Sequence, residues 1–338
     1  MVHQRPPAAR RVLRSIVTGL IWLVTIAVTI WAVAALWFDL PFGSANLAAV
    51  LIYAAVIVAL IALVPGARLK PLACLACFAL VLGWWLTIDA SNDRNWQQDV
   101  ASTAWAEFDG DHVTIHNVRN FDYRTEQDYT PHWETRTYNL QDIRGADLFI
   151  TFWGSPWIAH PIVSFQFGDK DHLAISVETR KQVGQDYSAV RGFFRQYELI
   201  YIVGDERDLV RLRTNYRKGE EVYLYRSTAT PEAARAVFVD YLRSVNELHE
   251  KPAFYNAPTS NCTTNIRIHA SSGLATPPWD WRLLLNGKSD EFAYQYGRIV
   301  GGMPFDQLKQ RAHINEAARA ADSSEQFSAL IRVGRPGF

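Results

Sequence analysis

PTSNCTTN, residues 258–265, is the stretch around which this chain is organised. It contains Cys262, the only one of the three cysteines that lies in the polar part of the sequence. Ser260 and Asn261 are favourable N-cap residues, so the stretch predicts that a helix begins next to the cysteine. The positive end of a helix dipole favours thiolate over thiol, and thiolate is the nucleophile. Cys262 is therefore a candidate nucleophile, and a small residue buried under a helix cap is the alternative.

Composition sets limits on the function. The chain has 338 residues and a formal net charge of zero, so nothing in it indicates a nucleic-acid partner. Hydrophobic residues make up 49% of the chain, but they are distributed unevenly. The first ninety residues are almost free of charge between short basic clusters, whereas the remainder is typical of a water-soluble domain. This contrast predicts a membrane anchor at 1–90 and a globular domain at 91–338.

Three uncharged apolar runs, at residues 16–38, 46–64 and 71–88, predict three transmembrane helices. About 20 apolar residues are enough to cross a bilayer. The first run is too long for the core of a signal peptide and lacks a small-residue cleavage site. Merging the second and third runs into a re-entrant hairpin is the alternative topology, and it would place the globular domain in the cytoplasm.

The positions of the charges predict the orientation of these helices. The N-terminal tail and the loop after the second run are basic, whereas the turn after the first run and the exit from the third are acidic: Arg5, Arg10, Arg11, Arg14, Arg68 and Lys70 against Asp39 and Asp89. Basic segments stay in the cytoplasm. We therefore expect a multi-pass protein of a bacterial inner membrane, with a cytoplasmic N-terminus and a periplasmic main domain.

No cofactor or metal site is predicted. Cys74 and Cys77 lie within an apolar helix without histidine or charged neighbours, which favours packing over redox or metal chemistry. His112 and His116 share a strand face but have no third ligand nearby. The periplasmic part has one cysteine and cannot form an internal disulfide, so this thiol is expected to be either used or deeply buried.

The globular part predicts an α+β domain with an antiparallel sheet and packed helices. Strands are expected at 112–116, 133–138, 147–152, 197–203, 209–215 and 221–226, a helix or linker at 96–108, and a short helical connection at 140–146. Thr230-Pro231-Glu232 predicts a helix start, and an apolar stripe continues that helix to Leu248. A final amphipathic helix is predicted at 304–321.

A hairpin in this domain supplies the candidate base. Residues 157–167 and 172–180 alternate between apolar and polar side chains around a turn at Gly168. Any register that pairs even positions with even positions points His160 to the same face as Glu178 or Arg180. A carboxylate beside a histidine selects its tautomer and favours the imidazolium. A histidine near a strand end beside a surface acid is the structural alternative.

Several short strings together carry a resemblance to a known family: NVRNFDY (117–123), AH (159–160), SF (164–165), SVETR (176–180), RD (207–208), LRTN (212–215), FYN (254–256) and NCTT (261–264). Their combination resembles the Lnb N-terminal periplasmic domain family, and the similarity spans residues 92–302. The family's named member is a bacterial lipoprotein N-acyltransferase whose periplasmic domain contains a cysteine, so the resemblance implies thiol acyl chemistry. This chain differs in placing its apolar runs before the domain, whereas that acyltransferase has membrane helices after it.

The order histidine, acid, cysteine also resembles circularly permuted papain-like folds, in which the helix of the nucleophile packs against the sheet of the base. That resemblance implies His160 as base, Glu178 as its orienting acid and Cys262 as nucleophile. Ser176, Asn261 and Thr263 are further candidates, and amides at the helix start are candidate oxyanion donors. Arg119 and Arg180 are candidates for binding an anionic headgroup.

Three functions remain open from the sequence. The first is a membrane-anchored cysteine-dependent acyltransferase or lipid-directed hydrolase, with membrane lipid or lipoprotein as substrate. The second is a papain-like amidase or peptidase of cell-wall or envelope peptides. The third is a non-catalytic, membrane-tethered binding module in which Cys262 is merely packed. An apolar groove beside Cys262 would favour lipid, and a polar cleft would favour peptide.

Overall fold

A computed structural model describes residues 8–257, 259–273, 275, 278, 280–283 and 286–338. Arg5 and Pro258, which entered the sequence analysis, lie outside these residues. The chain divides into two compact units. The first unit contains the N-terminal residues up to Ala90 together with Val190–Gln196, and the second contains Ser91–Ala189 and Tyr197–Phe338.

The first unit contains three apolar helices, as predicted. They are α1 (Ala8–Asp39), α2 (Asn46–Leu63) and α3 (Leu69–Leu86). Each includes a segment that is long and apolar enough to cross a membrane by length and composition. The ring of Trp31 on α1 makes edge contacts with Phe78 and Trp85 on α3, at centroid distances of 5.8 and 5.1 Å. Helices α1 and α3 therefore pack through large aromatic side chains, and the indole N–H of Trp85 donates to the Asp39 carboxylate at 2.7 Å.

The segment Val190–Gln196 belongs to this unit although it lies between two strands of the other in sequence. The Phe194 ring packs beside Phe38 and Trp31 of α1, at 5.1 and 6.1 Å. The Gln196 side chain donates hydrogen bonds of 2.7 Å to the Phe38 carbonyl and to the Asp39 carboxylate. The Gln196 side chain thus satisfies a backbone carbonyl at the C-terminal end of α1, although it is remote in sequence.

An eight-stranded sheet forms the centre of the second unit, in the order β1-β2-β9-β8-β7-β6-β10, with β5 paired to β2. Short strands β3 and β4 form a separate pair. The strands are β1 (Trp105–Asp109), β2 (His112–Arg119), β3 (Asp122–Tyr123), β4 (Tyr129–Thr130), β5 (Trp133–Asn139), β6 (Ile143–Trp153), β7 (Ser155–Phe167), β8 (Asp171–Arg180), β9 (Glu198–Asp205) and β10 (Glu220–Arg226).

The sheet is mixed, not wholly antiparallel as predicted. The exception is β2, which meets β9 in parallel at the pair Arg119 and Gly204. A bulge bends β2 at Asn117, whose backbone has a positive φ of 57°. A Cβ atom at Gly204 would lie 2.8 Å from the Arg119 carbonyl oxygen, so glycine permits this close approach. This long-range pairing leaves no periodic signal in the sequence.

Seven helices surround the sheet: α4 (Glu206–Arg211), α5 (Pro231–Glu250), α6 (Cys262–Ala270), α7 (Ser289–Gln295), α8 (Phe305–Ala312), α9 (Asn315–Ala320) and α10 (Phe327–Leu330), counted in the part of the chain that the structure describes. Helix α5 begins as predicted, because the Thr230 side chain accepts a hydrogen bond from the Ala233 amide. Its residues Phe238 and Tyr241 pack against Phe165 of β7 at 4.9 and 6.0 Å. This contact forms the centre of the largest core.

The predicted strand at 209–215 is wrong, because this segment forms α4 and a following π-helical turn, Leu212–Tyr216. The Asp205 side chain caps α4 by accepting a hydrogen bond from the Arg207 amide. Buried Leu209, Val210 and Leu212 fit one face of a helix as readily as a buried strand. The run was too short for its periodicity to distinguish the two.

Three other segments also differ from the predictions. Residues 105–108 of the predicted helix or linker belong to β1, and the predicted connection at 140–146 is a single short turn before β6. The predicted final helix is broken into α8 and α9. At the break, the Ile314 amide donates to the Val222 carbonyl and the Asn315 side chain accepts from the Val222 amide. Hydrogen bonds to β10 therefore interrupt the helix between α8 and α9.

A buried ion cluster fastens the C-terminal residues to the sheet. The Arg332 guanidinium donates to Asp147 on β6 and to Glu206 at the start of α4, at 2.7 and 2.6 Å. All three side chains are buried. Burial would raise the pKa of Glu206, but the adjacent Arg332 charge lowers it to about 2. The pair is therefore ionised throughout the neutral range.

We expect Arg332→Ala to destabilise the protein by about 3–5 kcal/mol, because it leaves Glu206 buried without its cation and leaves buried Asp147 with Arg226 alone. Unfolding of the full-length protein in detergent, followed by tryptophan fluorescence, measures this loss. Arg319→Ala is the matched control, since Arg319 on α9 is exposed, and it should change the free energy of unfolding by less than about 0.5 kcal/mol. Equal effects of the two substitutions would contradict the structural role of Arg332.

Candidate active site

His160, Ser176 and Glu178 meet on one face of the β7–β8 hairpin. The strands pair Ile162 with Ser176 and Ser164 with Ala174, so even positions face even positions, which the sequence had left open. Side chains directly across an antiparallel pair contact each other. This register is the one that places the imidazole and the carboxylate on the same face.

The hydrogen bonds of His160 assign its tautomer. Its Nε2 lies 2.7 Å from the Ser176 hydroxyl and 3.1 Å from Glu178 Oε1. The Ser176 hydroxyl donates to Glu178 Oε1 at 2.7 Å, so its oxygen accepts from Nε2–H. With the hydrogen on Nε2, Nδ1 is left as the basic nitrogen of the neutral ring.

Arg213 completes the surroundings of Glu178. It lies in the π-helical turn after α4, is buried, and donates to Glu178 Oε1 at 2.9 Å and to Glu220 at 3.2 Å. Burial would raise the pKa of Glu178, but His160 and Arg213 hold it well below its usual range. Glu178 is therefore a carboxylate at neutral pH and accepts hydrogen bonds from both partners and from Ser176.

Cys262 is the first residue of α6. The Asn261 side chain accepts from the Thr264 amide, and the Thr264 hydroxyl accepts from the Asn261 amide, both at 2.9 Å. This reciprocal capping box confirms the predicted helix start. Asn261 satisfies one of the orphan amides at the helix start, and the amides of Cys262 and Thr263 have no acceptor within the helix.

The other end of α6 is tied to the core by His269. Its Nδ1 pairs with Asp240 on α5 and its Nε2 with the Tyr201 hydroxyl on β9, each at 2.8 Å. Burial lowers the pKa of His269. A neutral ring donates from Nδ1 to the carboxylate and accepts from the phenol, so both bonds are satisfied. This chain of bonds holds α6 in position against α5 and the sheet.

The structure brings Cys262 and His160 together. The two side chains lie close enough for the thiol to contribute to raising the pKa of His160, and both are buried, with 8% and 7% of their surface exposed. Because Nε2 is engaged with Ser176 and Glu178, Nδ1 is the ring nitrogen that is left for the thiol. Burial would lower the pKa of His160, but the Glu178 charge overcomes burial and the opposing Arg213 charge, and the net shift is upward. This arrangement suits transfer of the thiol proton to the imidazole.

A cavity of about 380 Å³ opens beside these residues. Cys262, His160 and Glu178 all line it, so the sulfur is accessible to a small substrate group despite its burial. Many of the other lining side chains are charged or aromatic: Asp99, Arg119, Glu126, Trp153, Lys181, Tyr187, Arg213, Arg217, Lys218, Glu220 and Tyr255. The cavity is thus polar along much of its wall, with aromatic rings between the charges.

The structure places Thr263 near the Cys262 sulfur, whereas both candidate arginines are engaged by other residues of the protein. The Thr263 hydroxyl lies 4.0 Å from the Cys262 sulfur. Arg119 lines the cavity, but its guanidinium is paired with buried Asp208 at 2.7 Å and bonded to the Asp99 carbonyl at 2.9 Å. It joins β2 to α4, which leaves it few donors for a headgroup.

Arg180 does not line the cavity. Its guanidinium donates to the side chain of Asn92 and to the carbonyls of Val100 and Ala101, at 2.7–2.9 Å, and lies 4.3 Å from the centre of the Trp96 ring. Burial lowers the pKa of Arg180 to about 10. Arg180 therefore holds the segment before β1 against the sheet, and it is not presented to a substrate.

Four residues of the site were not predicted: Arg213, Asn286, Tyr187 and Tyr255. Asn286 donates from Nδ2 to the Cys262 sulfur at 3.6 Å. Arg213 fell in a segment predicted as a strand, and Asn286 lies in a polar turn whose partners are all distant in sequence. FYN (254–256) and LRTN (212–215) were the only signals that pointed to Tyr255 and Arg213. Among the described residues, no group of three His, Cys, Asp or Glu side chains could hold a metal ion.

We expect Glu178→Gln to lower the pKa of His160, because it removes the negative charge that raises it and leaves the Arg213 charge in place. Titration of the histidine NMR signals in full-length protein, with His160 assigned from its substitution, measures the shift. Glu107→Gln removes a carboxylate beside His116 and should leave the His160 pKa unchanged. An unchanged or higher His160 pKa in Glu178→Gln would refute the proposed electrostatics.

Comparison with known proteins identifies the domain that holds this site. Residues 129–287 match the model of the Lnb N-terminal periplasmic domain family. The match is shorter than the 92–302 expected from the short strings, and it begins after NVRNFDY (117–123). It includes His160, Glu178 and Cys262. A search of curated proteins and a search of solved structures found no significant match. Residues 129–287 are thus similar to the Lnb N-terminal periplasmic domain family, and three candidate membrane-spanning helices precede them in the chain.

Proposed function

We propose that this protein is a cysteine-dependent acyltransferase or hydrolase that acts through an acyl-enzyme on Cys262. The observation that carries the proposal is that Cys262 lines the same cavity as His160 and Glu178, whose side chains are paired at 3.1 Å. A nucleophile, a base and a group that orients the base are the parts that such chemistry requires.

The reaction follows from the assigned tautomer. His160 Nδ1 takes the thiol proton as the Cys262 sulfur attacks an acyl carbonyl carbon. The tetrahedral intermediate collapses when the leaving alcohol or amine takes that proton from the imidazolium, and a thioester remains. An amine or water then attacks the thioester and gives its proton to His160. The thiolate leaves with the proton of the imidazolium, which restores the thiol and releases the acyl product.

The surroundings support an acylated membrane substrate. Three candidate membrane helices tether the chain to a bilayer, where acyl esters are concentrated. Lys181 and Lys218 on the cavity wall suit an anionic headgroup. Trp157 and Ile158, at the start of β7, are about half exposed and offer apolar surface beside the cavity. We place the N-terminus in the cytoplasm of a bacterial cell and the domain in the periplasm, at the inner membrane, as the basic loops predict.

An amidase or peptidase of envelope peptides is the second candidate. The charged wall of the cavity favours it, because acidic and basic side chains suit a peptide better than an acyl chain. The resemblance of the order histidine, acid, cysteine to circularly permuted papain-like folds is compatible with either candidate. In both candidate reactions, the nucleophile is Cys262 at the start of α6, and α6 packs near the sheet that carries the base.

Acyl-enzyme trapping tests the proposal. Full-length protein in nanodiscs is incubated with a phospholipid labelled in its acyl chain, quenched in acid and analysed by mass spectrometry. We expect a labelled thioester on Cys262 that hydroxylamine removes, and no label on Cys262→Ala. Cys77→Ala, which removes a thiol of α3, is the control and should label normally. Labelling of Cys262 only by a peptide-derived acyl donor would favour the second candidate.

Reaction with iodoacetamide at pH 7 distinguishes both enzymes from a non-catalytic module. We expect Cys262 to react faster than a free cysteine and to slow at least tenfold in His160→Ala, because the imidazole no longer takes its proton. Slow reaction in the wild type, together with no acyl label, would leave only the binding module.

A further inference from the structure

Asn286 lies in a short turn, Asn286–Lys288, that packs against the beginning of β7. Its Oδ1 accepts a 2.9 Å hydrogen bond from the Ala159 amide, and its Nδ2 donates to the Cys262 sulfur at 3.6 Å. Oxygen must face the Ala159 N–H, so the amide can have only one orientation. The nitrogen is thereby aimed at the sulfur and the cavity.

Gly287 holds this turn close to the strand. A Cβ atom at this position would lie 2.3 Å from the Pro156 carbonyl oxygen and 2.4 Å from the carbonyl carbon of Trp157. Only glycine permits such an approach of two backbones. Because β7 also carries His160, the same strand positions the base and the Asn286 amide.

We propose that Asn286 Nδ2 is the side-chain donor of the oxyanion site, next to the first-turn amides of α6. The inference rests on the acyl-enzyme proposed above. A donor beside the attacking sulfur is also beside the carbon that the sulfur attacks, and hence near the carbonyl oxygen that gains negative charge. Bonds aimed at that oxygen strengthen as the charge develops, and this difference accelerates the reaction.

Two reactions of the same thiol separate this role from others. Alkylation by iodoacetamide needs the thiolate but forms no oxyanion, whereas acylation by p-nitrophenyl butyrate needs both. The ratio of the acylation rate to the alkylation rate therefore isolates the oxyanion site. In full-length protein in detergent, we expect Asn286→Ala to lower this ratio by about 10²–10³-fold. Lys288→Ala, on the same turn, should leave the ratio unchanged.

Asn286→Asp provides a second test, because it keeps an acceptor for the Ala159 amide and removes the donor. Its ratio should also fall by about 10²–10³-fold, and this test does not require the alanine variant to fold. An unchanged ratio in the folded variants, including a parallel fall of both rates, would overturn the oxyanion role. If the proposed function itself is wrong, the result differs, because the wild type would then be neither acylated nor rapidly alkylated.

Discussion

The Glu178 carboxylate is the group on which the site depends. It accepts hydrogen bonds from His160, Ser176 and Arg213, although its side chain is only 28% exposed. A carboxylate that has lost most of its water is favourable only when such partners replace it. These partners come from β7, β8 and the turn after α4. The ionised site therefore exists only when three separate segments have assembled, so formation of the site is coupled to formation of the sheet.

Two charges near His160 have opposite effects on its pKa. Glu178 raises the pKa of His160, whereas Arg213 lowers it, so the imidazole is tuned by the difference. Arg213 is in turn shared with Glu220 on β10. The sulfur is positioned independently of these charges, by the cap at the start of α6 and the His269 bonds near its end. Rigid elements thus hold the nucleophile and the base from different sides.

Local patterns predicted much of the fold and part of the site. The apolar runs, the cap at Asn261 and the start of α5 were all predicted, and the β7–β8 hairpin was predicted with its register open. Each depends on side chains that are neighbours in sequence. The short run at 209–215 failed because buried apolar residues fit a helix and a strand equally, and the capping by Asp205 decided between them.

The sequence by itself determined that three apolar helices precede an α+β domain, that His160 and Glu178 share a face in any register that pairs even positions, and that Cys262 begins a helix. Periodicity and capping are local, so they can be read from the chain. Only the tertiary structure decided that Arg213 and Asn286 join the site, that Arg180 is withdrawn from it, and that β2 pairs in parallel with β9. Those outcomes depend on which distant segments pack together, since a guanidinium or an amide bonds whichever acceptor the finished fold places beside it.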